Sequence, residues 1–293
     1  MDSKVTAMDI LRRSLARVRR LVRRALSPGL PLNGFEPART PAPLLDRLTD
    51  DQLERLNRLL PWNAFTADAR GRRFGNAAWA GKRSAPQPIP DPRILLMDQR
   101  FGLAGKRVLE VGCFEGIHTV ALAQRAASVV AIDARVENVV KTVVRAAFYG
   151  LSPTVFACDV EERPLPSEAL KADLLHHVGV LYHLVDPVAH LRDLAPLVRI
   201  GLMMDTHYCT EAHAGASYAS GDRNFRCREF QESGRADPFS GMHPSSRWLL
   251  LEDLVSILRE AGFGDVEVAE KREERNGPRA LIFARKRTAG GGA

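Results

Sequence analysis

Long apolar runs are missing from this 293-residue sequence. Nowhere does it hold the roughly 18 consecutive apolar residues that a membrane-spanning helix requires, and the N-terminus shows no apolar core followed by a small-residue cleavage site. A cytoplasmic chain is the expectation. Cysteine is scarce: Cys113, Cys158, Cys209 and Cys227 are scattered and form no CxxC pair, which argues against both a disulfide framework and a thiolate zinc site. Reduced, mostly buried thiols are expected. Histidine pairs such as His176-His177 and His183/His190 lack the spacing of a zinc-binding helix and its nearby carboxylate, so no metal is expected either.

Excess charge is also absent from most of the chain. The net charge of +7 is concentrated in residues 1–26, where eight basic residues stand against Asp2 and Asp9, and the remainder is close to neutral. The basic balance therefore belongs to one segment and does not argue for a basic groove across the body. That segment places Leu11, Leu15, Val18, Val22 and Ala25 at helical spacing with arginines between them, and Ser27-Pro28-Gly29 ends the pattern. It reads as a basic amphipathic helix over 1–27. Its apolar stripe suits packing on the body or on a second subunit; contact with RNA, peripheral contact with anionic lipid, or removal as a targeting peptide are the sharper alternatives.

What is present is a change of pattern near residue 90. From 28 to 92, prolines, glycines and short apolar runs alternate, with one helix near 49–60 opened by Thr49-Asp50 and stopped by Pro61. This is an extension of irregular structure, and the Pro-rich stretch 84–90 reads as a connector. Asp91-Pro92 then opens a helix through about Phe101. Beyond it come strand 106–111, helix 116–126, strand 128–132, helix 135–149, strands 153–158 and 172–178, helix 187–198 and strand 199–205. Strands separated by helices imply βαβ units and a parallel sheet. A helix at 247–262 and strands at 265–271 and 279–286, joined by Arg275-Asn276-Gly277-Pro278, predict an antiparallel closing pair. The expected fold class is α/β, with a Rossmann-like, mostly parallel seven-stranded sheet and an antiparallel last strand. Residues 93–288 form the main domain, 289–293 a tail, and 208–246, with few periodic apolar positions, a lid-like insertion.

The chemistry concentrates at strand ends. Val108-Leu109-Glu110-Val111-Gly112-Cys113-Phe114-Glu115-Gly116 is an apolar strand running into a glycine-bearing turn and a helix, a geometry that lets backbone approach a ligand closely. A dinucleotide fingerprint would need glycine at 112, 114 and 117, where the chain has Gly112, Phe114 and Ile117. Pyrophosphate binding is thereby disfavoured. Val129-Val130-Ala131-Ile132-Asp133 ends in a carboxylate suited to two ribose hydroxyls, although Asp133 also suits a helix cap. Cys158-Asp159-Val160 follows the third strand, where Asp159 is either an acceptor for an adenine amino group or an ordinary turn residue.

This arrangement resembles the class I S-adenosylmethionine (SAM)-dependent methyltransferases, whose first motif has an acidic strand end followed by a glycine-rich turn. The resemblance implies SAM as cofactor, bound by Glu110, Gly112, Cys113, Phe114, Gly116, Asp133, Ala134, Asp159, Val160 and Val178. Phe114 stands where the middle glycine usually falls, so the turn must accept a side chain there. Gly179-Val180-Leu181-Tyr182-His183, with Pro61-Trp62 upstream and Pro244-Ser245-Ser246 with Trp248 downstream, resembles the tRNA wobble-uridine (carboxy)methyltransferase group more narrowly. That group has a lysine just after its Pro-Trp pair, whereas this chain reads Asn63-Ala64-Phe65, with only Trp79 and Lys82 further on. Ordinary SAM is therefore expected in place of a carboxylated form.

Methyl transfer from a sulfonium needs an aimed acceptor and, where the acceptor is protonated, a base. His183, Tyr182 and His207 follow the fourth and fifth strands and are the candidate catalytic residues. His183 also suits a helix start, and Tyr182 packing on the cofactor. The acceptor is expected to be a small molecule or glycan, because the body is nearly neutral. RNA is the alternative, supported by the narrower resemblance and the basic helix, and a cofactor-binding partner protein without turnover is a third reading.

Overall fold

The computed structural model describes residues 43–76 and 85–287. The basic helix at 1–27, the tail, Trp79 and Lys82 lie outside the described residues. The described residues belong to one compact unit.

A seven-stranded sheet runs in the order β11-β12-β7-β6-β3-β4-β5, built from β3 (Arg107–Val111), β4 (Ser128–Asp133), β5 (Thr154–Ala157), β6 (Ala172–Val178), β7 (Val198–His207), β11 (Phe263–Glu274) and β12 (Gly277–Lys286). β3, β4, β5, β6 and β7 run parallel to one another, and β12 lies antiparallel between β7 and β11. This is the expected Rossmann-like arrangement. The alternation of side chains along each strand explains its two covered faces. Leu109, Val111, Ile132, Leu175 and Met204 point to one face and pack with Leu191 and Leu194 of α6 (Pro187–Leu194) and Leu254 and Leu258 of α7 (Leu251–Glu260). Val108, Ala131, Leu174 and Met203 point to the other and meet Ile94 and Met97 of α2 (Pro92–Phe101) and Leu122 of α3 (Ile117–Ala123). Each such aliphatic side chain, fully buried, contributes about 1.5–3 kcal/mol.

The extension is more ordered than its composition suggests. Thr49 and Gln52 form a reciprocal capping box on α1 (Asp50–Leu59), which satisfies two otherwise unpaired amides. β1 (Phe65–Ala67) and β2 (Arg73–Gly75) form a hairpin. Leu53, Leu56, Trp62 and Phe74 pack against Val144, Phe148 and Tyr149, at the end of α4 (Val136–Phe148).

The stretch 208–246 departs furthest from expectation. It carries regular structure: β8 (Ala216–Ser220) and β9 (Arg223–Gln231), which pair with β10 (Ser245–Leu249) in a three-stranded antiparallel sheet, while Pro238–Met242 line the cavity described below. β10 also takes residues assigned above to the start of the 247–262 helix, which begins only at Leu251. The reason is period two: Phe225 and Cys227 turn inward while Asn224, Arg226 and Arg228 turn outward, and Trp248 and Leu249 join the core from β10. All four cysteines are free thiols, with Cys158 alone partly exposed.

Candidate active site

A cavity of about 440 Å³ opens at the carboxyl ends of β3, β4 and β6, where open α/β sheets bind ligands. Of the residues expected to hold the cofactor, Glu110, Gly112, Cys113, Phe114, Asp133, Ala134, Asp159, Val160 and Val178 line it, as do Tyr182 and His183.

The turn after β3 explains its own sequence. Gly112 has φ 74°, and a Cβ there would stand 2.2 Å from Val180 Cγ2, so the turn closes only on glycine. Phe114 is the one non-glycine residue with positive φ, at 49°, among the described residues. Its strain is held in place from two sides: its amide donates to Asp133 Oδ2 at 3.0 Å, and its ring meets Phe239 at 5.2 Å between centroids. Gly116 does not line the cavity. A Cβ there would meet the Thr142 Cα at 2.9 Å, so this glycine serves the close packing of α3 on α4.

Asp133 is 9% exposed, and its carboxylate accepts from the amides of Phe114 and Arg135 and from Asn138 Nδ2. Burial raises its pKa against those donors. Asp159 accepts from the amide of Glu161 in a local turn. Glu110 is buried and accepts from Thr119 Oγ1 at 2.5 Å, and burial pushes its carboxyl up to about 8.

His183 lies on the cavity wall with Nδ1 2.8 Å from Glu232 Oε1. Glu232 also receives Ser246 Oγ, Ser240 Oγ and the Gly241 amide. Burial alone would raise this carboxyl, but His183, Ser240 and Gly241 together bring it down to about 2. An ionised Glu232 requires Nδ1 to donate, which leaves Nε2 as the basic nitrogen of a neutral His183. Glu232 carries no sequence signature, because its partner lies 49 residues away.

His207 is brought near but not into the site. Its ring is buried, stacked on Trp248 at 4.8 Å, with Nδ1 3.1 Å from the Pro278 carbonyl, and it meets the Tyr182 ring edge-on at 4.7 Å. It supports Tyr182 from behind and does not line the cavity. Tyr182 is partly buried, desolvation raises its phenol, and Arg279 stands 5.4 Å over its ring.

The far end of the cavity is edged by Arg93, Arg272 and Arg279, all of which contact the buried Asp205. Arg93 also pairs with Asp91, and Arg272 and Arg279 with Glu274. Glu270 also pairs with Arg272, so four carboxylates meet the three cations. Below the turn, Glu115 accepts from the amides of Asn63 and Ala64 and pairs with Lys141 Nζ at 2.8 Å.

A methyltransferase-domain family model matches residues 108–201, the span holding the glycine turn and the Tyr182-His183 pair. That span therefore carries a methyltransferase domain, similar to those of the class I SAM-dependent methyltransferases. The chain is 33% identical over 132 residues to a ubiquinone biosynthesis O-methyltransferase of Pseudomonas fluorescens, covering 42% of this chain and 54% of that protein. It is 37% identical over 165 residues to a tRNA U34 carboxymethyltransferase of Methylococcus capsulatus, covering 55% of this chain and 47% of that one. The chain spans about half the length of the curated relatives it matches. Among solved structures, the N-terminal domain of EvdMO1, crystallised in the presence of SAH and D-fucose, superposes with a TM-score of 0.67 at 25% identity, over 82% of this chain and 98% of that one.

Proposed function

We propose that this chain transfers a methyl group from SAM to a hydroxyl oxygen of a small, polyhydroxylated acceptor, with His183 as the base. The observation that carries this reading is the His183–Glu232 pair on the cavity wall, beside the glycine turn. Bound SAM supplies an electrophilic methyl on a sulfonium, so the protein's share is geometry and proton transfer. Asp133 would hold the ribose hydroxyls, the turn 112–114 would contribute backbone to the cofactor, and Asp159 and Val160 would take the adenine end.

His183 Nε2 takes the hydroxyl proton, and Glu232 stabilises the imidazolium that results, as a carboxylate behind a histidine base does. Tyr182, held by Arg279, His207 and Trp248, packs beside the reacting atoms. Gln87, Arg93 and Glu274 supply polar edges on the same cavity, which suits an acceptor with several hydroxyls. The D-fucose present with the EvdMO1 domain accords with such an acceptor.

The likeness to the tRNA U34 carboxymethyltransferase favours a second reading, an RNA acceptor. Arg93, Arg272 and Arg279 weigh against it, because each is already paired with Asp205, and Arg135, which also lines the cavity, donates to backbone carbonyls. Incubation with labelled SAM and separate pools of sugars, polysaccharide, other small molecules and nucleic acid tests both readings. Label in the sugar or small-molecule pool supports the first. Label in RNA, with affinity falling steeply as salt rises, replaces it with the second, and tight SAM binding without label in any pool leaves a non-catalytic partner protein.

A further inference from the structure

We infer that Glu110, His118 and His176 form a binding site for one divalent transition-metal ion. No sequence spacing points to it, because the three ligands come from β3, α3 and β6. In the folded chain one ligand atom from each lies within 4.8 Å of the others. Glu110 and His176 are register partners on adjacent parallel strands, so their side chains leave the same face of the sheet, and His118 closes over them from the first turn of α3.

His176 supplies the decisive observation. Its ring is buried, at 1% exposure, and both nitrogens lack a hydrogen-bond partner. Leaving a buried polar group unmet costs roughly 1–3 kcal/mol, and a metal–nitrogen bond removes that cost. The neighbours fit the same reading. Thr119 holds Glu110 Oε2, while Oε1 stands 3.9 Å from His176 Nδ1. Asp91 Oδ2 lies 3.3 Å from His118 Nε2, a carboxylate–imidazole contact of the kind that orients metal-bound histidines.

Tetrahedral nitrogen and oxygen ligands at about 2.0–2.1 Å from an ion lie about 3.4 Å apart, so the site closes with side-chain shifts of about 1 Å. Two imidazoles with one carboxylate suit Zn²⁺, Fe²⁺, Co²⁺ or Ni²⁺ better than Mg²⁺ or Ca²⁺. Glu110 and His118 both line the cavity, so the remaining coordination position faces it and accepts an oxygen ligand from there.

The test is titration of chelator-treated, full-length protein with Co²⁺, followed by its visible absorption and by calorimetry, in the absence of SAM. One ion per chain is expected, displaced by Zn²⁺. His176→Ala and His118→Asn should each weaken uptake beyond the 10–100-fold that loss of an outer partner brings. If His176→Ala does not fold, His118→Asn, at a partly exposed position, decides alone. No uptake by folded wild-type protein overturns the inference, as does uptake that His118→Asn leaves unchanged.

Discussion

The amide of Phe114 donates to the carboxylate of Asp133 at 3.0 Å, so the acid proposed to meet the ribose also fastens the glycine turn after β3. On that reading one side chain would serve both binding and local structure. Because the same carboxylate takes the Arg135 amide and Asn138 as well, its removal leaves three donors without their acceptor.

Asp133→Ala is expected to weaken SAM binding by about 10–150-fold, the equivalent of 1.5–3 kcal/mol for a charge-assisted contact, and to lower the melting temperature. Asp133→Asn, which keeps one carbonyl oxygen for the turn, should lose affinity with a smaller loss of stability. Calorimetry and thermal melts on both variants separate the two contributions. Unchanged affinity in folded Asp133→Ala would remove this residue from the cofactor site.

His183→Asn should lower kcat by roughly 10²–10⁴-fold with SAM affinity little changed, the signature of lost proton transfer and not of lost binding. Glu232→Gln should reduce kcat as well, because an amide can present its NH₂ to Nδ1 and favour the wrong tautomer. Turnover in either variant equal to wild type would send the search for a base to Tyr182.

Glu232 also carries a pH dependence of defined sign. Its carboxyl sits at about 2 in the folded chain, below the ordinary 4.5, so the stability it contributes is complete above pH 4.5 and is lost as pH falls toward 2. The full effect is roughly 3 kcal/mol at most. Urea midpoints between pH 5 and 3 should therefore fall faster for wild type than for Glu232→Gln. Parallel curves would show that the carboxylate is not held as the contacts indicate.

A chain starting near residue 28 should bind SAM with unchanged affinity, since every residue placed at the cofactor lies beyond 109. Loss of binding by a truncated protein that still melts cooperatively would tie the basic segment to the site.

The parallel sheet was legible because buried parallel strands are near-continuous apolar runs, as in Val108–Val111 and Val129–Ile132, and because each ends on a glycine or a carboxylate. Gly112, Asp133 and His183, which line the cavity, could be picked out for that reason. Glu115, His118 and Glu232 could not, since each draws its role from partners distant in sequence, such as Asn63 for Glu115 and His183 for Glu232. The sheet at 216–249 was missed for a different reason. Asn224, Arg226 and Arg228 take outward positions of β9, and this polar run masks the inward alternation of Phe225 and Cys227. His207 and Gly116 were drawn toward the site by their place at the end of an element, which fixes the neighbourhood of a residue but not the direction it faces.

Glu115 has a consequence for where this protein ends as a working part. Its carboxylate is satisfied by amides of Asn63 and Ala64, and the carbonyl of the same residue receives Arg145, whose guanidinium lies over the rings of Trp62 and Phe74. The catalytic body is therefore not a portable cassette that begins at the first helix before the glycine turn. Grafted onto another protein from residue 93 onward, it would carry a buried acid without its amide donors and a buried guanidinium stripped of its aromatic cover, directly beneath the loop that must hold the cofactor.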